Sequence, residues 1–242
     1  MKTALVTGSS RGIGRAIALE LAKNGYRVWI HAANRLEKAE EVKRLIEENG
    51  GVADVLIGDM TDLDCTKKMT ETVGNIDVLV LNASLQYRTP WDQIGVDACM
   101  DQLHCNFVSS LIWTQAVVPH MKEQGWGRII TIGSVQERKP HPDMLVYSAS
   151  KAAQTHLVHS LSTQLAPFGI TVNNVAPGVI YTDRNVKALS DPVYAKQVTD
   201  SIPMGYYGKP DDCAGIVRFL CTDEARYITG QNIFVDGGKG IC

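Results

Sequence analysis

The chain alternates short, uninterrupted apolar runs with segments of helical period, and this alternation limits its possible folds more than any other feature. Ala4-Leu5-Val6 is the first run and ends at Gly8. Ile13, Ile17 and Leu21 then recur at four-residue spacing up to Asn24-Gly25, a helix stop. Val28–Ile30 reads as a second strand, and a charged helix follows from about Leu36 to Glu48. Val52–Ile57, Asp77–Leu81, Arg128–Ile132, Ile170–Val175 and Asn232–Val235 read as further strands. Ala153, Leu157, Leu161 and Leu165 carry helical spacing between two of them, and so do Cys213, Ile216, Val217 and Leu220. Strands without polar alternation are buried on both faces, and strands separated by helices pair in parallel. Right-handed crossovers then predict an α/β fold, a doubly wound parallel sheet of about seven strands with helices on both faces. No repeat, low-complexity tract or Pro-rich linker divides residues 1–242, so a single domain is expected. Residues 181–208 break the rhythm: they are polar and contain Pro192, Pro203 and Gly205, which predicts a loop or small helical lid.

Composition narrows the function classes. Hydrophobic residues make up 45% and charged residues 21%, which excludes disordered, collagen-like and coiled-coil chains. The formal net charge of −2 gives no pull toward nucleic acid or an anionic membrane surface. No apolar run approaches the ~20 residues that span a bilayer. Met1 to Thr7 lacks the pattern of a signal peptide, so a cytoplasmic location is the default expectation. Cys65, Cys99, Cys105, Cys213, Cys221 and Cys242 form no Cys-x-x-Cys pair and read as reduced, partly buried thiols. The six histidines are scattered, and His156 and His159 have no carboxylate nearby, so no metal site is expected.

Two clusters carry chemistry. Thr7-Gly8-Ser9-Ser10-Arg11-Gly12-Ile13-Gly14 lies between the first strand and the first helix. Glycines there let the backbone approach a diphosphate, and the helix N-terminus offers free N–H groups to the anion. The second cluster is Ser134, Tyr147 and Lys151. Ser134 follows a strand at its carboxyl end, where open α/β sheets bind ligands. Tyr147 and Lys151 are four apart and share a helix face. A tyrosine is a poor acid or base at neutral pH, and a nearby ammonium favours its phenolate.

With these residues the chain resembles the short-chain dehydrogenase/reductase family over almost its whole length, and within it the 3-oxoacyl-carrier-protein reductases. Thr7-Gly8-x3-Gly12-Ile13-Gly14 is similar to the family's cofactor turn, and Ser134-x12-Tyr147-x3-Lys151 to its catalytic set. The resemblance implies a Rossmann-type fold and a role for Asn106 as a fourth catalytic residue, holding a water that links Lys151 to solvent. It implies cofactor contacts at Gly8, Ser10, Arg11, Gly12, Ile13, Gly14, Asn34, Arg35, Asp59, Met60, Asn82, Ala83, Tyr147, Lys151, Pro177, Gly178, Ile180 and Thr182. Gly230-Gln231 and Asp236-Gly237-Gly238 match the family's closing strand. It also implies a homotetramer built on the helices that carry Asn106 and Tyr147. Ser84 stands where the family usually has glycine, and reads either as a small-residue swap or as a group that narrows the pocket or meets substrate.

Members that prefer NAD carry an acid at the end of the second strand, about 20 residues after the glycine turn. Here that region reads His31-Ala32-Ala33-Asn34-Arg35, with Ala32 at the acid's place. Arg11 and Arg35 are suited to a 2′-phosphate, so NADP(H) is expected. Asp59 has a competing role as a helix cap. The implied activity is keto reduction, with Ser134 bonding the carbonyl oxygen and Tyr147 as general acid. An NAD-dependent alcohol or polyol dehydrogenase working oxidatively is the alternative, followed by a silent cofactor sensor, although sensors typically lose the Tyr or Lys. Val135 to His141 and the 181–208 lid are expected to border a pocket for a small carbonyl or alcohol. Arg138, Lys139 and His141 suit an anionic substrate or a solvated loop. Phe168 occupies a place where carrier-protein reductases present a basic residue, which weighs against a carrier-borne substrate.

Overall fold

The central strands of the sheet are buried on both sides, and the computed structural model, which describes residues 1–241, shows where each side goes. The strands are β1 (Thr3–Val6), β2 (Arg27–Ala32), β3 (Val52–Ile57), β4 (Val78–Leu81), β5 (Gly127–Ile132), β6 (Ile170–Pro177) and β7 (Asn232–Val235). They form one sheet in the order β3-β2-β1-β4-β5-β6-β7, parallel throughout. The fold is a Rossmann-type, doubly wound α/β sheet.

Helices α1 (Gly12–Lys23) and α2 (Leu36–Glu48) share one face with α9 (Pro210–Leu220), set by residues such as Ile17, Leu21, Val42 and Val217. Ala4, Val6, Val78 and Val80 face them from the sheet. Helices α3 (Leu63–Val73), α5 (Ser109–Gln124) and α6 (Leu145–Leu165) cover the other face, where Met69, Trp113, Met121 and Val158 meet Leu5, Leu79 and Leu81. The alternation is that of a pleated strand, with neighbours pointing to opposite layers. Burying one such aliphatic side chain contributes roughly 1.5–3 kcal/mol, so a one-residue slip of β1 or β4 forfeits several at once and the register is firmly set.

Between β4 and α5 lie α4 (Val96–Leu103) and a π-helical turn at His104–Val108 that runs straight into α5. After β6 the 181–208 segment forms two short helices, α7 (Asp183–Leu189) and α8 (Pro192–Asp200). Its ends meet: Ile180 bridges Gly208, and the Tyr181 and Tyr207 rings stack with centroids 5.5 Å apart. Cys105, Cys213 and Cys221 are buried and Cys65 and Cys99 partly so, all as free thiols; Cys242 lies outside the described residues. Among the described residues no helix is long and apolar enough to cross a membrane, and no group of three potential metal ligands occurs.

Candidate active site

The sheet order reverses at its centre, where β1 neighbours β2 on one side and β4 on the other. A crevice opens at the carboxyl ends of the strands at such a switch point. Here it is a cleft of about 830 Å³, within the usual range for ligand sites, roughly 300–1,000 Å³.

At the floor of the cleft is the glycine turn, tied to both neighbouring strands. The Gly8 N–H donates to His31 Nδ1 at 2.9 Å, and the other imidazole nitrogen meets Gly58 O at 2.9 Å. Thr7 Oγ1 accepts from the N–H groups of Asn82 (2.8 Å) and Ala83 (2.9 Å), while Asn82 Nδ2 donates to Thr7 O at 2.8 Å. A side chain at Gly14 would collide with Asn82 and with the Gly8 carbonyl, so glycine is required by packing. Gly8 has φ +64°, a conformation that favours glycine. Arg11, at the N-cap of α1, places no side-chain cap on the first turn, whose N–H groups are left to an anion.

Arg11 and Arg35 flank this turn. Partial burial is the main cause lowering the Arg11 pKa, and repulsion from Arg35 and Arg184 adds to it. Positive charge is therefore concentrated where a dinucleotide's phosphates would lie. Asp59 and Met60 line the cleft beyond. Asp59 turns back on Thr61, accepting from its N–H and hydroxyl at 2.9 Å each, and the cap of α3 is Asp62 instead. The turn geometry, the two arginines and the absence of an acid at Ala32 together fit a phosphorylated nicotinamide dinucleotide.

Ser134 follows β5 and caps a single 3-10 turn at Val135–Glu137, with its N–H donating to Glu137 Oε1 at 2.7 Å. The Glu137 carboxylate also accepts from Thr155 Oγ1 (2.5 Å), Asn174 Nδ2 (3.0 Å) and Asn232 Nδ2 (2.8 Å). Tyr147 and Lys151 lie one turn apart on α6, only 6% and 1% exposed. The Ser134 hydroxyl and the Arg184 guanidinium lie near the Tyr147 hydroxyl in this cleft. Burial raises the Tyr147 pKa, and Arg184 and Ser134 oppose the rise. Lys151 is itself pushed down to about 8 by burial and by Arg184. Its ammonium donates to Ile132 O at 2.7 Å and Gln154 Oε1 at 2.8 Å.

Every residue expected at the cofactor site lines this one cleft, and so do Ser134, Tyr147 and Lys151. Asn106 does not. It sits fully buried in the π-helical turn, where Oδ1 accepts from Leu85 N (2.8 Å) and Nδ2 donates to Leu85 O and Ser150 Oγ (2.9 Å each). Its side chain clamps the segment after β4 to α6 beside Lys151. The Asn106 carbonyl reaches Lys151 through protein groups: Ser110 Oγ donates to it at 3.1 Å, and Gln154 Nε2 donates to Ser110 Oγ at 2.9 Å. Gln154 escaped sequence reading because its buried place falls between apolar helix positions.

At the substrate end, Val135, Gln136, Lys139, Pro140 and His141 line the opening, as expected of that segment. Arg138 instead lies over the Phe234 ring at 4.2 Å, away from the cleft. At Ser84, Arg184 Nη2 donates to the main-chain carbonyl at 2.9 Å and lies 3.3 Å from Oγ, with Nη1 3.4 Å from the same oxygen. Arg184 was missed in the sequence because the 181–208 segment carries no period. Phe168 is exposed, with Lys122 Nζ 4.3 Å from its ring centre.

Comparison with known proteins agrees with this geometry. The chain is 39% identical over 241 residues to 3-oxoacyl-[acyl-carrier-protein] reductase FabG of Staphylococcus aureus strain Mu50, covering 98% of this chain and 97% of the relative. The crystal structure of a 3-oxoacyl (acyl-carrier-protein) reductase from Agrobacterium tumefaciens C58 with NADP bound matches with a TM-score of 0.93 at 34% identity, covering 98% of this chain and 93% of that one. A gluconate 5-dehydrogenase from Burkholderia cenocepacia J2315, in complex with NADP and tartrate, matches with a TM-score of 0.92 at 33% identity, covering 100% and 96%. The pattern of the short chain dehydrogenase family matches residues 2–192, and the chain belongs to that family.

Proposed function

We propose that the chain is an NADP(H)-dependent oxidoreductase that interconverts a ketone and a secondary alcohol, with Tyr147 as the general acid/base. The observation that carries this reading is the Tyr147 hydroxyl, buried at the cleft floor near Ser134 and one turn from the Lys151 ammonium. When bound, NADPH supplies the hydride that reduces the carbonyl carbon. Ser134 holds the carbonyl oxygen, and Tyr147 delivers a proton to it, giving the alcohol. Charge grows on that oxygen in the transition state, so donors fixed in place by the Glu137 cap and α6 stabilise it most there. The phenolate left on Tyr147 takes its proton back from solvent, and the Lys151 ammonium, held by Ile132 O and Gln154, supplies the positive charge one turn away. Asn106 acts as a positioning residue: its main-chain carbonyl holds Ser110, which in turn holds Gln154.

The preference for NADP(H) rests on Arg11 and Arg35 beside the glycine turn and on NADP in the two structural relatives. Separate titrations with NADPH and NADH, read by quenching of the four tryptophans, test it. Much tighter NADPH binding is expected; tighter NADH binding defeats the assignment. The outward residues of α6, among them Ala149, Ala152, His156 and Thr163, carry no Lys, Arg, Asp or Glu, which supports assembly into a homotetramer through this helix. A monomer in light scattering contradicts that part.

A further inference from the structure

Arg184, an exposed residue, lines the cleft. Its guanidinium rests on Ser84, with Nη2 2.9 Å from the carbonyl oxygen and 3.3 Å from Oγ, and Nη1 3.4 Å from Oγ. Among the described residues no carboxylate forms an ion pair with it. It lies near Tyr147 and repels both Lys151 and Arg11. Arg88, Lys139 and Lys239 line the same mouth, against Asp101 and Asp183, so the opening is positive overall. The planar fork of a guanidinium matches a carboxylate at two points. Phosphates of a dinucleotide would account for Arg11 and Arg35, which lie at the glycine turn. Arg184 instead rests on Ser84 and lies near Tyr147, beside where the reacting oxygen is proposed to sit.

We propose that Arg184, seated on Ser84, is the specificity residue of this site and binds a carboxylate borne a few bonds from the reacting carbon, so that the substrate is an oxo acid or the matching hydroxy acid. This rests on the reductase reading above for the reaction itself. Ser84 then serves as the seat of the guanidinium, its carbonyl and hydroxyl holding that group toward Tyr147. The substrate carboxylate takes a guanidinium edge while the carbonyl oxygen meets the phenol.

Two measurements test the proposal and separate it from the reaction assignment. Malonate and the neutral malonamide are titrated calorimetrically into protein saturated with NADP+, for wild type, Arg184→Gln, Ser84→Gly and Tyr147→Phe. Malonate is expected to bind wild type and Tyr147→Phe alike, at least tenfold more weakly to Arg184→Gln, and severalfold more weakly to Ser84→Gly, with malonamide weak throughout. Acetoacetate and levulinate are then compared with their amides as substrates with NADPH. The acids are expected to exceed the amides at least tenfold in kcat/KM, and Arg184→Gln to reduce that ratio to within a few-fold while NADPH affinity holds. Equal binding of malonate to wild type and Arg184→Gln overturns the proposal, and so does loss of NADPH affinity with an unchanged acid-to-amide ratio. Arg184-dependent malonate binding with no turnover of any oxo compound would instead sink the reductase reading and leave the anion site standing.

Discussion

His31 Nδ1 accepts a hydrogen bond from the Gly8 N–H at 2.9 Å, and that bond exists only while the imidazole is neutral. Burial pushes the His31 pKa below 6.5, in keeping with this role. The unfolded chain takes up a proton at His31 near 6.5, while the folded chain resists it. More protons are thus bound in the unfolded state across that window. Stability is complete above 6.5 and falls as pH drops toward the folded value. Thermal unfolding followed from pH 8 to 5 should show this decline, together with weaker NADPH binding. His31→Leu should flatten that part of the profile and lower stability by about 1–3 kcal/mol for each buried group left unpaired.

Gln154 should set the alkaline limb of activity. Free-enzyme ionisations appear in kcat/KM, so the value for NADPH is expected to fall above pH 8, where Lys151 loses its proton. A hydrogen bond to a charged group is worth about 1.5–3 kcal/mol, and one pKa unit corresponds to about 1.4 kcal/mol. Gln154→Leu should therefore move the limb about one to two units lower, and Gln154→Glu should move it higher. Superimposable profiles for the three proteins would remove Gln154 from this role.

Tyr147→Phe removes the proton donor and little else. Turnover should drop by about 10²–10⁴-fold, the usual worth of a positioned acid. The NADPH dissociation constant should stay within a few-fold. Near-normal turnover by the variant would end the assignment of Tyr147.

Glu137 is the acceptor for four donors, from Ser134, Thr155, Asn174 and Asn232. Glu137→Ala strands them together and should cost on the order of 3 kcal/mol. At about 2–4 °C per kcal/mol for a chain of this size, Tm should fall by roughly 6–12 °C. Because Ser134 loses its backbone anchor, kcat should fall as well; an unchanged Tm in differential scanning calorimetry would contradict this account.

Much of the architecture is legible from the residues because their punctuation is strong. Leu36–Glu48, Val52–Ile57 and Asn232–Val235 coincide with α2, β3 and β7, two of them separated by Gly50-Gly51. β6 runs on through Ala176-Pro177 past the expected end at Val175, because its ladder continues to β7 up to the Pro177–Val235 pair. Cleft residues were readable wherever backbone geometry demands a residue type, as at Gly8 and Gly14. What escaped depends on contacts across the chain. Asn106 meets Leu85 and Ser150 rather than the cleft, Gln154 meets Ser110, and Arg184 crosses from the 181–208 segment to Ser84. None of these partners is within reach along the sequence, so spacing carries no trace of them.

The 181–208 segment is fastened at its two ends, by the Ile180–Gly208 bridge and the Tyr181–Tyr207 stack, and α8 buries none of its residues. Residues of α8 can therefore be changed at little cost to the sheet, whereas Leu189 and Ile202 in the same segment are buried. A fold arranged this way leaves one stretch beside the cleft open to substitution without loosening the strands or the glycine turn. Transplanting residues 183–208 between relatives, with Thr182 kept in place, should exchange appetite for substrate while leaving the redox partner the same.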